Sequence, residues 1–253
     1  MRDPKSNERQ YANFYKRYSQ DFRTDLAIYL DLALKQGGPV LEVGCRSGRV
    51  TARIGAEGIE TLGIDTSRPM LEQAVEHIRP WAACARVADF DLRHQPTAER
   101  FSVALVTLFS FNELIDVEEQ RLFLRHLRQS MAEPGVLAID FFCPISLVAP
   151  EQANKWKESQ RTVSERLLTL GDRREMLTPL LERRVQRFRI DNGPVGERVL
   201  HRRYIPPQQA SSLLEESGFE EVVWVQNYDL ATAAAVTPDD RPSGPFMLLA
   251  RLP

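Results

Sequence analysis

Residues 39–49, Pro39-Val40-Leu41-Glu42-Val43-Gly44-Cys45-Arg46-Ser47-Gly48-Arg49, decide how the rest of the chain is read. An apolar run carries one acid, two glycines follow four residues apart, and an amphipathic run opens at Val50. That pattern is a strand, a tight turn and a helix start. Glycine lets backbone N–H groups come close to a ligand, and a helix N-terminus offers unsatisfied donors with a partial positive charge. The turn is therefore built to hold a small ligand, and Glu42 sets a negative charge beside the donors.

Downstream, strand-like and helix-like runs alternate as far as Phe142, the signature of a parallel α/β sheet. The patterning predicts strands near 39–44, 60–65, 82–88, 101–107 and 135–142, with helices near 48–56, 67–79 and 117–131. The second strand ends at Asp65, 21 residues beyond Gly44. An acid at about that distance suits a ribose, because a carboxylate accepts hydrogen bonds from two vicinal hydroxyls. Ser67 and Pro69 then open the next helix. The third strand ends at Asp89-Phe90, so Glu42, Asp65 and Asp89 are expected to converge at the carboxyl ends of the strands. Upstream, Tyr11, Phe14, Tyr15, Tyr18, Phe22, Leu26, Tyr29 and Leu32 recur at helical spacing, read either as packing or as a lid with tyrosines over a pocket.

Composition narrows the field. The 253 residues carry 33 Lys and Arg against 35 Asp and Glu, a formal charge of -2 that gives no reason to expect a nucleic-acid partner. No apolar run reaches the roughly 20 residues of a membrane span, and the first ten residues lack a signal-peptide core, so a cytoplasmic protein is expected. Cys45, Cys84 and Cys143 stand singly and read as small buried residues of a reducing compartment.

These motifs resemble those of class I S-adenosylmethionine-dependent methyltransferases. Glu42-Val43-Gly44-x-x-x-Gly48, Gly63-Ile64-Asp65-x-Ser67-x-x-Met70-Leu71 and Val87-Ala88-Asp89 are similar to the family's cofactor motifs. Residues 101–106, 107–114 and 134–141 resemble its fourth strand, the loop that follows and its fifth strand. Gly218-Phe219, 222–225 and 246–251 resemble its closing strands. The resemblance implies a Rossmann-like seven-stranded methyltransferase sheet with S-adenosyl-L-methionine as cofactor. Glu42, Gly44 and Gly48 would frame its methionine, Asp65 its ribose, Met70 and Phe90 with Asp89 its adenine, and Phe109 would lie beside the methionine portion. From the spacing alone a dinucleotide was equally suited. The G-x-G-x-x-G fingerprint is absent, however, and a pyrophosphate is repelled by Glu42.

Two departures stand out. Arg46 occupies a position where the family usually has glycine; it either pairs with the cofactor's carboxylate, sits solvated on a loop tip, or marks a fold put to other use. Residues 143–206 exceed a minimal fold. Residues 151–170 are predicted helical, with Trp156, Val163 and Leu167 on one side. The runs 180–190 and 199–204 are predicted as strands about the turn Asp191-Asn192-Gly193. Between Gly171 and Tyr204 there are nine Arg against five acids. This insertion resembles the substrate-covering sheet of deoxysugar N-methyltransferases and related natural-product methyltransferases, which places Arg203 and Tyr204 near a polar or anionic substrate. The expected organisation is a helical lid at 1–36, a core of 37–145 and 207–253, and a helical and antiparallel β cover at 146–206.

Methyl transfer from a sulfonium is an in-line displacement that rests on positioning and on exclusion of water. No adjacent acids follow the fourth strand, so no metal is expected. Glu113 and His201 are the candidate bases, with Tyr204 beside them; the alternative for Glu113 is a charge ahead of helix 117–131. Tyr11, Tyr15 and Tyr228 are candidates to close around the sulfonium. The reading is metal-independent transfer to an amine or hydroxyl of a small natural-product-type molecule, by a chain that can form a homodimer. Its rivals are a cyclisation or pericyclic reaction on the same fold, or a non-catalytic partner subunit.

Overall fold

The structure is a computed structural model that describes residues 4–142, 154–237 and 245–253. Helices α1 (Pro4–Tyr18) and α2 (Leu26–Gln36) precede an alternating series: β1 (Val40–Val43), α3 (Arg49–Gly55), β2 (Thr61–Asp65), α4 (Arg68–Ile78), β3 (Ala85–Asp89), β4 (Phe101–Val106), α5 (Val117–Gln129) and β5 (Met131–Phe142). Four further strands follow, β6 (Lys157–Val163), β7 (Arg166–Thr178), β8 (Leu181–Ile190) and β9 (Gly196–Arg203). The chain then returns through α6 (Pro207–Glu216), β10 (Glu220–Gln226), β11 (Ala234–Ala235) and β12 (Pro245–Leu252).

The main sheet has the order β11-β10-β12-β5-β4-β1-β2-β3. It has eight strands, one more than expected, because the two residues of β11 pair with Val223 and Trp224 at the edge. All four residues of β1 are buried, and β1 is flanked in parallel by β2 and β4. The strand order turns from one direction to the other at β1, which opens a crevice outside the carboxyl ends of β1 and β4. Apolar layers cover both faces. Leu41, Val43, Leu62 and Ile64 pack with Phe123, Leu124 and Leu127 of α5 and Leu213 and Leu214 of α6. Val40, Val103 and Leu105 pack with Ile28 and Leu32 of α2 and Val50 and Ile54 of α3.

The second sheet, β6-β7-β8-β9, is antiparallel throughout. Its β8–β9 hairpin lies where predicted, about Asp191 to Gly193. The helix predicted for 151–170 is not there: residues 157–163 and 166–178 are strands, while 151–153 lie outside the described residues. Trp156, Val163 and Leu167 are spaced seven and four apart and imitated a helical stripe. Ser164 and Glu165, both with positive φ (47° and 63°), instead make the tight hairpin turn between β6 and β7. Trp156 lies under the guanidinium groups of Arg173 and Arg187, at 5.2 and 4.4 Å from the ring centre.

Helix α1 docks on this second sheet. Phe14 packs with Val163, Leu168 and Phe188, and Arg161 Nη2 donates to the Tyr18 carbonyl at 2.8 Å. Helix α1 and the second sheet are therefore packed together, and residues of both line the crevice. Of the cysteines, Cys45 is buried, Cys84 is half-buried rather than buried, and Cys143 lies outside the described residues.

Candidate active site

The crevice encloses a cavity of about 870 Å³. The turn after β1 supplies Gly44 and Arg46, the tip of β2 supplies Asp65 and Ser67, and α4 supplies Met70. Phe90, Asp91, Leu92 and Arg93 follow β3, Ser110 and Glu113 follow β4, and Tyr11 and Arg198 reach in from α1 and β9. Gly44 has φ +74°, and a Cβ there would collide with the Ser110 hydroxyl, so only glycine suits this point of the turn.

Asp65 is fixed from two sides. One carboxylate oxygen accepts from Arg46 N at 2.8 Å, the other from Ser67 N at 2.8 Å. Each oxygen keeps a second lone pair for a ligand in the cavity. Beside it, Met70, Phe90, Leu92, Leu114 and Phe123 make an apolar wall. A diol acceptor next to an apolar slot fits the nucleoside half of S-adenosyl-L-methionine.

Arg46 is not a solvated loop-tip residue. Its side chain is 13% exposed, its Nη2 lies 3.2 Å from Glu113 Oε1, and its guanidinium stands over the Tyr15 ring at 5.2 Å. Its φ of 51° retains the left-handed backbone that a glycine would adopt freely, at a cost of about 1 kcal/mol. Glu113 sits in a 3₁₀ turn, Ser110–Glu113, and faces this arginine. It does not cap α5: that role belongs to Asp116, which accepts from the N–H groups of Glu118 and Glu119 at 2.8 and 3.1 Å. Burial would raise the Glu113 carboxyl, but Arg46, Arg202 and Arg198 outweigh it and hold the group below the usual carboxylate range. Glu113 is thus an ionised carboxylate at neutral pH and a poor proton acceptor.

Several expected site residues lie elsewhere. Glu42 is 2% exposed and turned away from the cavity; it accepts from Thr51 N at 2.7 Å and Thr107 Oγ1 at 3.1 Å. On β1 it shares a face with Val40, toward α3, so it holds the helix start rather than facing a ligand. Gly48 packs against Ala74. Asp89 is exposed, and Asp91 lines the cavity in its place, paired with Arg93 at 2.6 Å. Phe109 packs on Phe142 with ring centres 5.4 Å apart. Tyr15 is buried under Arg46, and desolvation pushes its phenol up to about 12. His201 faces solvent on β9, opposite in parity to Arg198, Leu200 and Arg202, which point inward. Tyr204 is 2% exposed and donates to Glu182, which keeps it from the cavity. Gly44, Arg46, Asp65, Met70, Phe90 and Glu113 are the expected residues that the fold does bring together.

The sequence reading gave no part to Asp140. It is fully buried at the end of β5 and accepts from Tyr29, from Leu108 N at 2.9 Å and from Tyr228 at 3.3 Å, with its other oxygen unpartnered. Tyr228 is therefore an anchor rather than a group closing over the cavity, and Asp140 ties the loop after β4 to α2. Burial raises both Asp140 and Glu42 to about 7, against the hydrogen bonds that each accepts. The folded protein then binds these protons more tightly than the unfolded chain. Their contribution to stability is full below about pH 4 and is lost as pH rises to about 7, on the order of 3 kcal/mol for each group. Urea unfolding at pH 5 to 8 is expected to show stability falling over this window, with a smaller fall in Asp140→Asn. An equal fall in both proteins would mean that Asp140 titrates normally.

Comparison with known proteins agrees with the geometry. Residues 41–137 match a family model described as a methyltransferase domain. An uncharacterized methyltransferase of Geobacillus kaustophilus is 27% identical over 134 residues, 50% of this chain and 60% of that relative; the chain thus spans about three-fifths of the relative's length. Among solved structures, an S-adenosylmethionine-dependent methyltransferase from Clostridium acetobutylicum superposes with TM-score 0.76 at 16% identity, covering 96% of this chain and 98% of that one. CalS10, an amino pentose methyltransferase from Micromonospora echinaspora, gives 0.72 at 16% identity, covering 96% of each. DesVI of Streptomyces venezuelae gives 0.72 at 18%, covering 94% and 95%. The chain has the fold of the class I S-adenosylmethionine-dependent methyltransferases.

Proposed function

We propose that the protein transfers the methyl group of S-adenosyl-L-methionine to an amine of a small natural-product-type molecule in the cytoplasm, without a metal; a hydroxyl is the second acceptor class. The observation that carries this reading is Asp65, held by two backbone N–H groups at the rim of an apolar slot. Solved relatives in the same fold include CalS10 and the sugar N-methyltransferase KedS8, whose acceptors support the choice of an amine. The cyclisation alternative draws no such support.

When bound, the cofactor supplies an electrophilic methyl carbon. Asp65 would accept from its ribose hydroxyls, and Met70, Phe90 and Leu92 would flank its adenine. Arg46 keeps Glu113 ionised and aimed into the cavity. An amine gains positive charge as it is methylated, so a fixed carboxylate beside it favours the transition state over the ground state. Helix α1 and the second sheet exclude water from the displacement. Calorimetric titration with S-adenosyl-L-methionine tests the first half of the reading; absence of saturable heat up to millimolar concentrations would overturn it. Release of S-adenosylhomocysteine in the presence of amine-bearing acceptors tests the second.

A further inference from the structure

Asn112 is fully buried although it carries a polar amide, and it stands one residue before Glu113 in the turn that follows β4. A buried amide needs partners for two N–H groups and an oxygen. Asn112 finds all of them on two residues. Its Oδ1 accepts from Phe142 N at 3.0 Å, and its Nδ2 donates to the Phe142 carbonyl at 3.3 Å and to the Arg203 carbonyl at 2.6 Å. Only an oxygen can face the Phe142 N–H, so the amide has a single orientation. The side chain meets both backbone groups of Phe142 as a neighbouring strand would, beyond the point where β4 ends at Val106.

These two partners are the two ends of one stretch of chain. Phe142 closes β5, Arg203 closes β9, and all four strands of the second sheet lie between them. One core side chain therefore holds the chain both where it leaves the main sheet and where it comes back. A second tie acts at the same point: Arg203 Nε donates to the Ile115 carbonyl at 2.8 Å, so residues on either side of Glu113 grip Arg203. The Phe142 ring packs between those of Phe109 and Tyr204, at 5.4 and 6.2 Å between centres. Next to Arg203 on β9, Arg202 brings its Nη2 to 3.8 Å from Glu113 Oε1, and Arg46 reaches that oxygen at 3.2 Å from the turn after β1. The Glu113 carboxylate is held between one cation of the core and one of the second sheet.

We propose that Asn112 is a positioning residue: by holding Phe142 and Arg203 against the turn that carries Glu113, it fixes that carboxylate relative to Arg46 and to the second sheet. It is not among the residues that line the cavity and acts through its neighbour, which is. The task given to Glu113 rests on the methyl-transfer reading, whereas its placement by Asn112 does not.

The test follows Glu113 directly, in the full chain without cofactor, by the carboxyl resonances of isotope-labelled glutamate, the Glu113 signal being assigned by its loss in Glu113→Gln. In the wild type it should titrate below the usual carboxylate range. Asn112→Ala removes both ties, so the Glu113 midpoint should rise toward that range, and the Phe142 amide should exchange with solvent roughly tenfold faster while the amides of β1 keep their protection. Asn112→Asp supplies the rescue. In acid its buried carboxyl is protonated, keeps an oxygen for Phe142 N and a hydroxyl for the Arg203 carbonyl, and should return the Glu113 midpoint to the wild-type position. As the introduced carboxyl ionises, followed by its own resonance, it repels both carbonyls, and the Glu113 signal should shift with it. An unmoved Glu113 midpoint in Asn112→Ala overturns the proposal and leaves Asn112 a purely structural residue. If that variant does not fold, Asn112→Asp decides alone: a Glu113 signal indifferent to the introduced ionisation overturns it equally. Failure of the protein to bind S-adenosyl-L-methionine would strike the methyl-transfer reading and leave the placement of Glu113 standing.

Discussion

Replacing Asp65 with alanine is expected to weaken binding of S-adenosylhomocysteine by at least about 100-fold, the largest effect of any single substitution in the cavity. Hydrogen bonds to a charged group are worth about 1.5–3 kcal/mol each, and a ribose diol offers two. The carboxylate is also preorganised: Arg46 N and Ser67 N hold it before any ligand arrives, so little ordering remains to oppose binding. Asp65→Asn keeps one acceptor oxygen but turns an amide toward a backbone N–H, and should fall between alanine and wild type. Calorimetry reads the affinities and circular dichroism confirms that the fold persists. Affinity within threefold of wild type in Asp65→Ala would place the nucleoside elsewhere.

Glu113→Gln should lower turnover about 100-fold with cofactor affinity unchanged, because the lost interaction is one that strengthens as charge develops on the acceptor. The structure also separates this role from general base catalysis. A carboxyl held below the usual carboxylate range by three arginines is already ionised at pH 5, so no inflection of rate from Glu113 is expected between pH 5 and 9. Arg46→Ala removes the nearest of those cations, at 3.2 Å, and should bring such an inflection closer to neutral pH. A Glu113→Gln enzyme with wild-type turnover would leave the carboxylate a structural partner of Arg46 and nothing more.

Much of the Rossmann-like core could be read from its residues, because each element was spelled by a local rule. Apolar β1 ending in Gly44 and Gly48, and the 21-residue interval to Asp65, are backbone and spacing signals that survive without any knowledge of packing. What could not be read was direction. Glu42 and Asp65 both sit on strands at the crevice, yet only Asp65 lies at a strand tip; Glu42 is two residues back, where a side chain faces α3. His201 and Arg202 differ by one position and point to opposite sides of β9, so residue type alone does not say which of them faces inward. The β6–β7 hairpin was hidden for a different reason. Its turn uses Ser164 and Glu165 with positive φ, where glycine or asparagine would have announced it, and β6 is so exposed that it carries almost no alternating apolar pattern. Arg46 shows the same limit in one residue: its place in the turn was evident, whereas its pairing with a glutamate 67 positions away depends on the fold.

The second sheet runs without interruption from Lys157 to Arg203, while Gly44, Arg46, Asp65, Met70, Phe90 and Glu113 all fall before residue 114. On the proposed reading, the two halves of the chemistry are carried by separate lengths of chain that face each other across the cavity. On the proposed reading, drift along 157–203 would retune the acceptor without disturbing how the methyl donor is held. A graft of that stretch between proteins of this fold is accordingly expected to change the acceptor, provided that Phe14 of α1 still finds Phe188 beneath it.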